Sequence, residues 1–298
     1  MVRKDIRVNG AREPGSRMLE AGDEVSIGIA EEAIAEFMSP GKSPSLKRQF
    51  GIAYEDEHIL AVEKPFGLLT HGDGKEKKNT LANQVIAYLI GSGGYSPERY
   101  PTFTPSPVGR LDRNTSGLVL FGKSPKALRD LNTMFRHRDD VEKYYLTMVR
   151  GRITEGLSLR SRMVKDEGRN LVRPLPEEDG EGRLMITEVK PVAAGKKYTL
   201  AQVKLVTGRT HQIRVHLAEA GYPIIGDAKY GDMAVNREIS RRFGLSAQFL
   251  HAWRLKVNAG VESLEYLTGR TIESGLPERL RAISEALVPG ARAGGTMQ

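Results

Sequence analysis

The stretch Gly109–Phe121, Gly-Arg-Leu-Asp-Arg-Asn-Thr-Ser-Gly-Leu-Val-Leu-Phe, constrains this 298-residue chain more than any other. It sets one carboxylate, Asp112, between Arg110 and Arg113 in a polar turn that leads straight into an apolar run. Opposite charge on both sides favours the ionised acid. Asn114, Thr115, Ser116 and Gly117 supply the short polar side chains and the glycine that a tight, hydrogen-bonded loop requires. Leu118 to Phe121 then reads as a buried strand. A charge held in that way is a candidate nucleophile or electrostatic stabiliser, although the same four residues also suit an acid that only caps a turn. The rest of the chain has to separate the two.

Composition removes several alternatives. No apolar run approaches the ~20 residues of a membrane span, and the start, Met1 to Arg7, lacks the apolar centre of a signal peptide. With no cysteine at all, thiolate nucleophiles and zinc-thiolate sites are excluded, and a reducing cytoplasm is the expected setting. The net charge of +8 favours a polyanionic partner. Between Lys123 and Arg173, directly after the Asp112 loop, 13 lysines and arginines stand against 7 acids. A phosphate-binding surface beside the acid is therefore expected, with nucleic acid ahead of a merely solvated face.

The chain divides into residues 1–38, a small unit of short alternating strands around glycine turns; 39–49, a Pro/Gly/Ser linker; 50–288, the main domain; and 289–298, an expected disordered tail. In the main domain, Ile59–Val62 is an apolar strand, and the spacing of Leu81, Val85, Ile86 and Leu89 predicts a helix over Asn79–Ile90. The glycines at 91, 93 and 94 follow that helix and form a loop, not a dinucleotide fingerprint. Ser124 as cap and Pro125 in the first turn start a second helix, running to Arg136. Tyr144–Val149 is a strand, and Met185–Val192 with Thr199–Val206 forms a hairpin. The polar segment between Arg160 and Arg183 is expected to be a mobile excursion. Helices follow from Thr210 to the stop at Gly221 and over Leu276–Leu287.

Two further segments carry chemistry. Alternation along Lys143-Tyr-Tyr-Leu-Thr-Met-Val puts Tyr145 on one face of its strand and Tyr144 on the other. Thr207-Gly-Arg-Thr-His-Gln-Ile-Arg-Val-His216 packs Arg209, His211, Gln212, Arg214 and His216 into a helix start. His211 and His216 are five apart, poor spacing for two ligands on one helical face, and no acid lies between them, so a metal site is rejected. Arg214 shares the apolar side of the helix with Leu217 and Ala218, and a buried guanidinium needs a carboxylate; Asp112 is the natural candidate. Gly226-Asp-Ala-Lys-Tyr-Gly231 and Phe249-Leu-His-Ala-Trp253 read as turn and strand residues of no particular chemistry.

The order of Gly67 to His71, Arg-Leu-Asp-x-x-Thr-Ser-Gly, Lys-x-Tyr, Thr-Gly-Arg-Thr-His-Gln-Ile-Arg-Val-His, Gly-Asp-x-x-Tyr-Gly and Leu-His-Ala resembles the RluA-type family of RNA pseudouridine synthases, over roughly residues 50 to 270. Residues 1–38 resemble part of the alpha-L RNA-binding domain that many of these enzymes carry. The resemblance implies an α+β fold: a mixed, largely antiparallel central sheet flanked by helices and loops around a catalytic cleft, plus the small N-terminal fragment. It implies isomerisation of uridine to pseudouridine in RNA, with large-subunit ribosomal RNA as the leading substrate and transfer RNA as the alternative. It further implies no cofactor, no metal, and a monomer that meets RNA but no membrane. Asp112 becomes the catalytic aspartate, which either attacks the anomeric carbon or removes the neighbouring ribose proton. Tyr145 becomes the catalytic tyrosine that stacks on the target base, with a part in proton transfer open to it, and Arg214 is the salt-bridge partner that keeps Asp112 charged and aimed through a bidentate pair. Arg110 displaces the target nucleotide, and Thr115, Arg209, His211 and Gln212 join it in substrate binding. Gly109 stands where the family usually has histidine. The rival reading is a non-catalytic RNA-binding protein of ribosome assembly, which has no need of the complete Asp, Tyr, Arg set.

Overall fold

Runs that are apolar at every position, such as Ile59–Val62 and Leu118–Phe121, belong to strands covered on both faces. The computed structural model describes residues 6–12, 17–28, 46–166, 171–180 and 182–290. Residues 39–45 of the expected linker and 291–298 of the expected tail lie outside them. In chain order the strands are β1 (Ile6–Val8), β2 (Ala11–Arg12), β3 (Val25–Ile27), β4 (Gly51–Glu55), β5 (Ile59–Lys64), β6 (Pro107–Val108), β7 (Ser116–Gly122), β8 (Val141–Arg150), β9 (Leu157–Asp166), β10 (Leu171–Leu175), β11 (Arg183–Ala194), β12 (Tyr198–Leu205), β13 (Leu250–Val257) and β14 (Thr271–Glu273). The helices are α1 (Leu81–Gly91), α2 (Pro125–Arg136), α3 (Gln212–Glu219), α4 (Met233–Phe243) and α5 (Glu278–Leu287).

Strands β1 to β3 form a separate antiparallel sheet in the order β2-β1-β3. The others form one mixed sheet whose main path is β10-β9-β11-β12-β8-β13-β7-β5-β4, with β6 paired to β7 and β14 to β13. Among the described strands only the β7–β13 pairing is parallel; its neighbours on the path are antiparallel. The α+β class implied by the motifs is therefore the observed one. Along β5 and β7 the side chains alternate between two cores. Leu60, Val62, Val119 and Phe121 pack with Leu81, Val85 and Leu89 of α1, while Ile59, Ala61, Leu118 and Leu120 pack with Leu131 and Met134 of α2. Both helix starts are capped: Ser124 Oγ accepts from Ala127 N ahead of Pro125, as the sequence suggests, and Thr80 Oγ1 accepts from Asn83 N, so that α1 begins at Leu81 and not at Asn79.

The segment between Arg160 and Arg183 departs from the expectation of a patternless excursion. It contains most of β9 and all of β10, which extend the sheet beyond β11 as antiparallel ladders. Leu157, Leu159, Ser161 and Met163 form the better covered side of β9 while Ser158, Arg160 and Val164 are exposed, a period-two pattern diluted by charge. Arg160 spends that charge on a two-pronged pair with Glu177, at 3.0 and 2.8 Å. Inside this extension His216 is buried and stands between Thr187 Oγ1 at 2.8 Å and Ser161 Oγ at 2.9 Å. Burial pulls its pKa down to about 4.

Gly117 explains how the one parallel seam closes. It has φ +110° and lies so near β13 that a Cβ would come within 2.1 Å of the Ala252 carbonyl oxygen. Gly117→Ala combines a left-handed backbone with backbone overlap and is expected to cost about 2–5 kcal/mol in denaturant unfolding. Gly269→Ala, at φ +79° with open space around it, carries only the backbone strain of about 1–2 kcal/mol; equal losses would refute the close-approach account. A second outcome concerns acid. Because native His216 titrates near 4 and the unfolded residue near 6.5, the unfolded chain binds more protons between those values. Stability therefore falls as pH drops from 6.5 towards 4. His216→Gln should flatten that slope in pH-dependent thermal melts.

Candidate active site

Asp112 sits in the loop that joins β6 to β7, two strands that pair with one another, so its ends are fixed by the sheet. Thr115 N donates to the Asp112 carbonyl at 3.0 Å, closing the turn. Thr115 itself is buried, and its hydroxyl accepts from Gln248 Nε2 at 3.3 Å. On the other side, Thr70 Oγ1 lies 3.0 Å from the Leu111 carbonyl. The Lys64 ammonium donates to the carbonyls of Pro65, Leu68 and Arg113 at 3.0, 2.8 and 2.9 Å. Burial draws the pKa of Lys64 down to about 7, with the Asp112 charge working against it. Gly109 turns the chain into this loop at φ +78° with open space where a Cβ would be.

Neither flanking arginine pairs with Asp112. Arg113 Nε donates to the Gly67 carbonyl at 3.1 Å, and Arg110 is exposed at the cleft. The partner comes from α3: Arg214 Nη1 donates to Asp112 Oδ2 at 2.9 Å. The expected bidentate grip on Asp112 is absent, however, because the two-pronged bond goes to Asp227. Arg214 Nε and Nη2 meet Asp227 Oδ2 and Oδ1 at 2.7 and 2.8 Å. Asp227 also accepts from the backbone N–H groups of Lys229 and Tyr230 at 2.8 and 3.1 Å. Burial pushes the Asp227 carboxyl up, but the Arg214 hydrogen bonds and charge outweigh it and hold the acid below its usual range. Burial likewise opposes the Arg214 cation, and its bonds to Asp227 and Asp112 outweigh that. Sequence reasoning passed over Asp227. The available signal was an acid directly after Gly226, whose own Cβ would strike the Ala247 carbonyl oxygen at 2.2 Å.

Tyr145 projects from β8 into the same cleft, which Asp112 and the buried Arg214 also line. Burial and then the Asp112 charge push its phenol well above the ordinary value, so it stays protonated. His211 caps α3 in a left-handed conformation at φ +55° and carries no capping hydrogen bond of its own. That shifts the helix start from the expected Thr210 to Gln212. The imidazole lies between Tyr230 and Asp112: Nδ1 is 2.9 Å from the Tyr230 hydroxyl and Nε2 is 3.8 Å from Asp112 Oδ2. Gln212 turns inward. Its amide accepts from Thr207 Oγ1 and Arg209 N and donates to the Ile186 carbonyl and Thr187 Oγ1, so it braces the loop below the cleft. Arg209 lines the cleft and is half-buried, with Nε directed at the Leu184 carbonyl at 3.4 Å.

The cleft has a volume of about 1720 Å³, and Arg110, Arg129, Arg136, Arg138, Lys143 and Arg209 face it. Part of the basic excess seen in the sequence is thus directed at the site. Another part is spent within the protein, as Arg150 pairs with Asp232 and Lys126 with Asp130 and Glu262. Among the described residues no cluster of His, Cys, Asp or Glu could hold a metal ion, and no helix is long and apolar enough to cross a membrane.

The chain matches the family model described as RNA pseudouridylate synthase over residues 58–219, which contain Asp112, Tyr145 and Arg214. It is 37% identical to "Ribosomal large subunit pseudouridine synthase C" of Escherichia coli (strain K12), over 85% of this chain and 76% of that protein. The protein of the same name from Vibrio vulnificus is 35% identical over 86% of this chain and 78% of its own length. "tRNA pseudouridine synthase C" of Yersinia pestis is 34% identical over 70% and 80%. Among solved structures, "Human RNA Pseudouridylate Synthase Domain Containing 4" shares the fold with a TM-score of 0.63 at 19% identity, covering 80% of this chain and 92% of that one. A family match across more than half the chain, joined to relatives aligned over most of their length, makes the chain a member of the RNA pseudouridylate synthase family, of RluA type, whose reaction is the isomerisation of uridine to pseudouridine in RNA.

Proposed function

We propose that this enzyme modifies uridine in large-subunit ribosomal RNA, with Asp112 as the catalytic carboxylate. The observation that carries the catalytic assignment is the 2.9 Å contact between Arg214 Nη1 and Asp112 Oδ2 in a basic cleft that Tyr145 also lines. The ribosomal reading is supported by the longer and closer match to the large-subunit relatives, 37% over 85% of the chain against 34% over 70% for the transfer-RNA relative. The same reading takes the protein to be a cytoplasmic monomer, in keeping with its lack of cysteine.

Isomerisation breaks the bond from ribose C1′ to N1 of the base, rotates the uracil and joins C1′ to C5. N1 gains a proton and C5 loses one, so nothing is oxidised and no group leaves. The uridine must first leave its stack, at a cost of a few kcal/mol. Exposed Arg110, at the cleft and close to Asp112, is suited to fill the space left in the RNA, and the Tyr145 ring to receive the base. Asp112, oriented by Arg214, then meets the ribose, attacking C1′ or removing the proton from C2′. A phenol held protonated by burial and by Asp112 suits Tyr145 to stacking and hydrogen-bond donation; the C5 proton goes to water or passes through the phenol in a relay. Arg209, with Arg129, Arg136, Arg138 and Lys143, supplies cations for flanking phosphates, while Thr115 and Gln212 hold the loops from beneath.

Incubation with ribosomal and transfer RNA tritiated at uridine C5 tests this reading. Tritium should be released from ribosomal RNA by the native enzyme and not by Asp112→Asn; a mutant that keeps activity removes Asp112 from the mechanism, and release from transfer RNA alone reassigns the substrate. Asp227→Asn weakens the partner that keeps Arg214 charged and straight. Its expected cost is up to about 3–5 kcal/mol of stability, the scale for breaking a buried pair, with kcat falling more than KM rises. Urea unfolding and single-turnover kinetics measure the two.

A further inference from the structure

The two oxygens of Asp112 are not equivalent. Oδ2 accepts from Arg214 Nη1 at 2.9 Å and faces His211 Nε2 at 3.8 Å. Oδ1 has no hydrogen bond among the described residues, and the side chain is 31% exposed towards the cleft. His211 is only 9% exposed and held on both flanks. Its Nδ1 meets the Tyr230 hydroxyl at 2.9 Å, and the two rings stand edge to face with centroids 5.6 Å apart. The Arg214 guanidinium lies 5.2 Å from the centre of the Tyr230 ring, which ties the tyrosine to the same ion-pair system.

This arrangement decides where the imidazole proton resides. With the proton on Nδ1, an Nε2 lone pair would point at a carboxylate. With the proton on Nε2, an N–H dipole points at Asp112 and Nδ1 is free to accept from the tyrosine hydroxyl. Burial, together with the cations of Arg214 and Lys229, outweighs the pull of Asp112 and Asp227 and keeps His211 below its ordinary pKa. The backbone supports a constrained role, since His211 is one of three non-glycine residues with positive φ among those described, a conformation that costs energy unless its surroundings fix it.

We propose that His211, set by Tyr230 in the tautomer with its proton on Nε2, is a positioning residue that joins Arg214 in holding Oδ2 of Asp112 and so leaves Oδ1 as the oxygen that meets the ribose. At 3.8 Å the His211 contact is longer than a formed hydrogen bond, and it shortens when substrate fills the cleft. The assignment rests on Asp112 as the catalytic carboxylate, and the experiment separates the two.

Nitrogen-15 spectra of the full chain without RNA, with His211 assigned by its loss in His211→Gln, report the tautomer directly. Protonated Nε2 and bare Nδ1 are expected, with a mixture of tautomers in Tyr230→Phe. In single-turnover assays on ribosomal RNA, Tyr230→Phe should lower kcat about tenfold with KM and melting temperature unchanged. His211→Leu should fall further, and His211→Gln, which keeps an N–H in reach of Asp112, should recover part of the loss. A proton on Nδ1, or a His211→Leu enzyme with native kcat, overturns the proposal. If Asp112→Asn is active, the catalytic reading fails instead, whatever the tautomer.

Discussion

Arg214 is 5% exposed, and a cation so far from water persists only where its charge and its N–H groups are met. Asp227, fully buried, meets them with two parallel bonds and in effect neutralises the guanidinium. That leaves Nη1 as a donor fixed in direction, and it is the group that reaches Asp112. Asp112 is therefore oriented by an arginine whose charge is already answered. Its side chain stays at the edge of the cleft.

The sheet keeps that contact in place. Asp112 lies 102 residues from Arg214 in sequence, so no local turn can hold the pair. The loop carrying Asp112 is fixed by β6 against β7, and β7 is pinned to β13 at Gly117, where backbone meets backbone. On the other side β13 pairs with β8, the strand of Tyr145, and Tyr145 stands opposite both Ala252 and Val203. Gly117, Ala252 and Tyr145 thus fall in one line across three strands. Misplacing any of them would move the acid and the aromatic relative to each other.

Much of this was legible in the residues. The helix capped at Ser124, the doubly buried strands and the meeting of Asp112 with Arg214 all follow from period, cap chemistry and the demand of a buried guanidinium for a carboxylate. Asp227 escaped notice because short-range pattern shows only a Gly-Asp turn; its role depends on an arginine 13 residues earlier that folds back onto it. The extension β9–β10 escaped because arginines on its exposed face masked the alternation of Leu157, Leu159 and Met163. The left-handed turn at His211 was hidden as well, since the residue reads as an ordinary first-turn position until the chain is seen to bend there.

Lys64 gives the cleft a different kind of joint. One ammonium gathers three carbonyls, two from the residues just after it and one from Arg113, so two loops with no strand pairing between them share a single tetrahedral hub. Three rotatable donors around a point charge suit that task, whereas the flat fork of a guanidinium would satisfy acceptors lying near one plane. The wall of the cleft next to Asp112 is consequently specific for lysine by shape and not only by charge. Its floor, by contrast, is built around an arginine for the opposite reason, because Asp227 there presents the flat, paired oxygens that a fork matches.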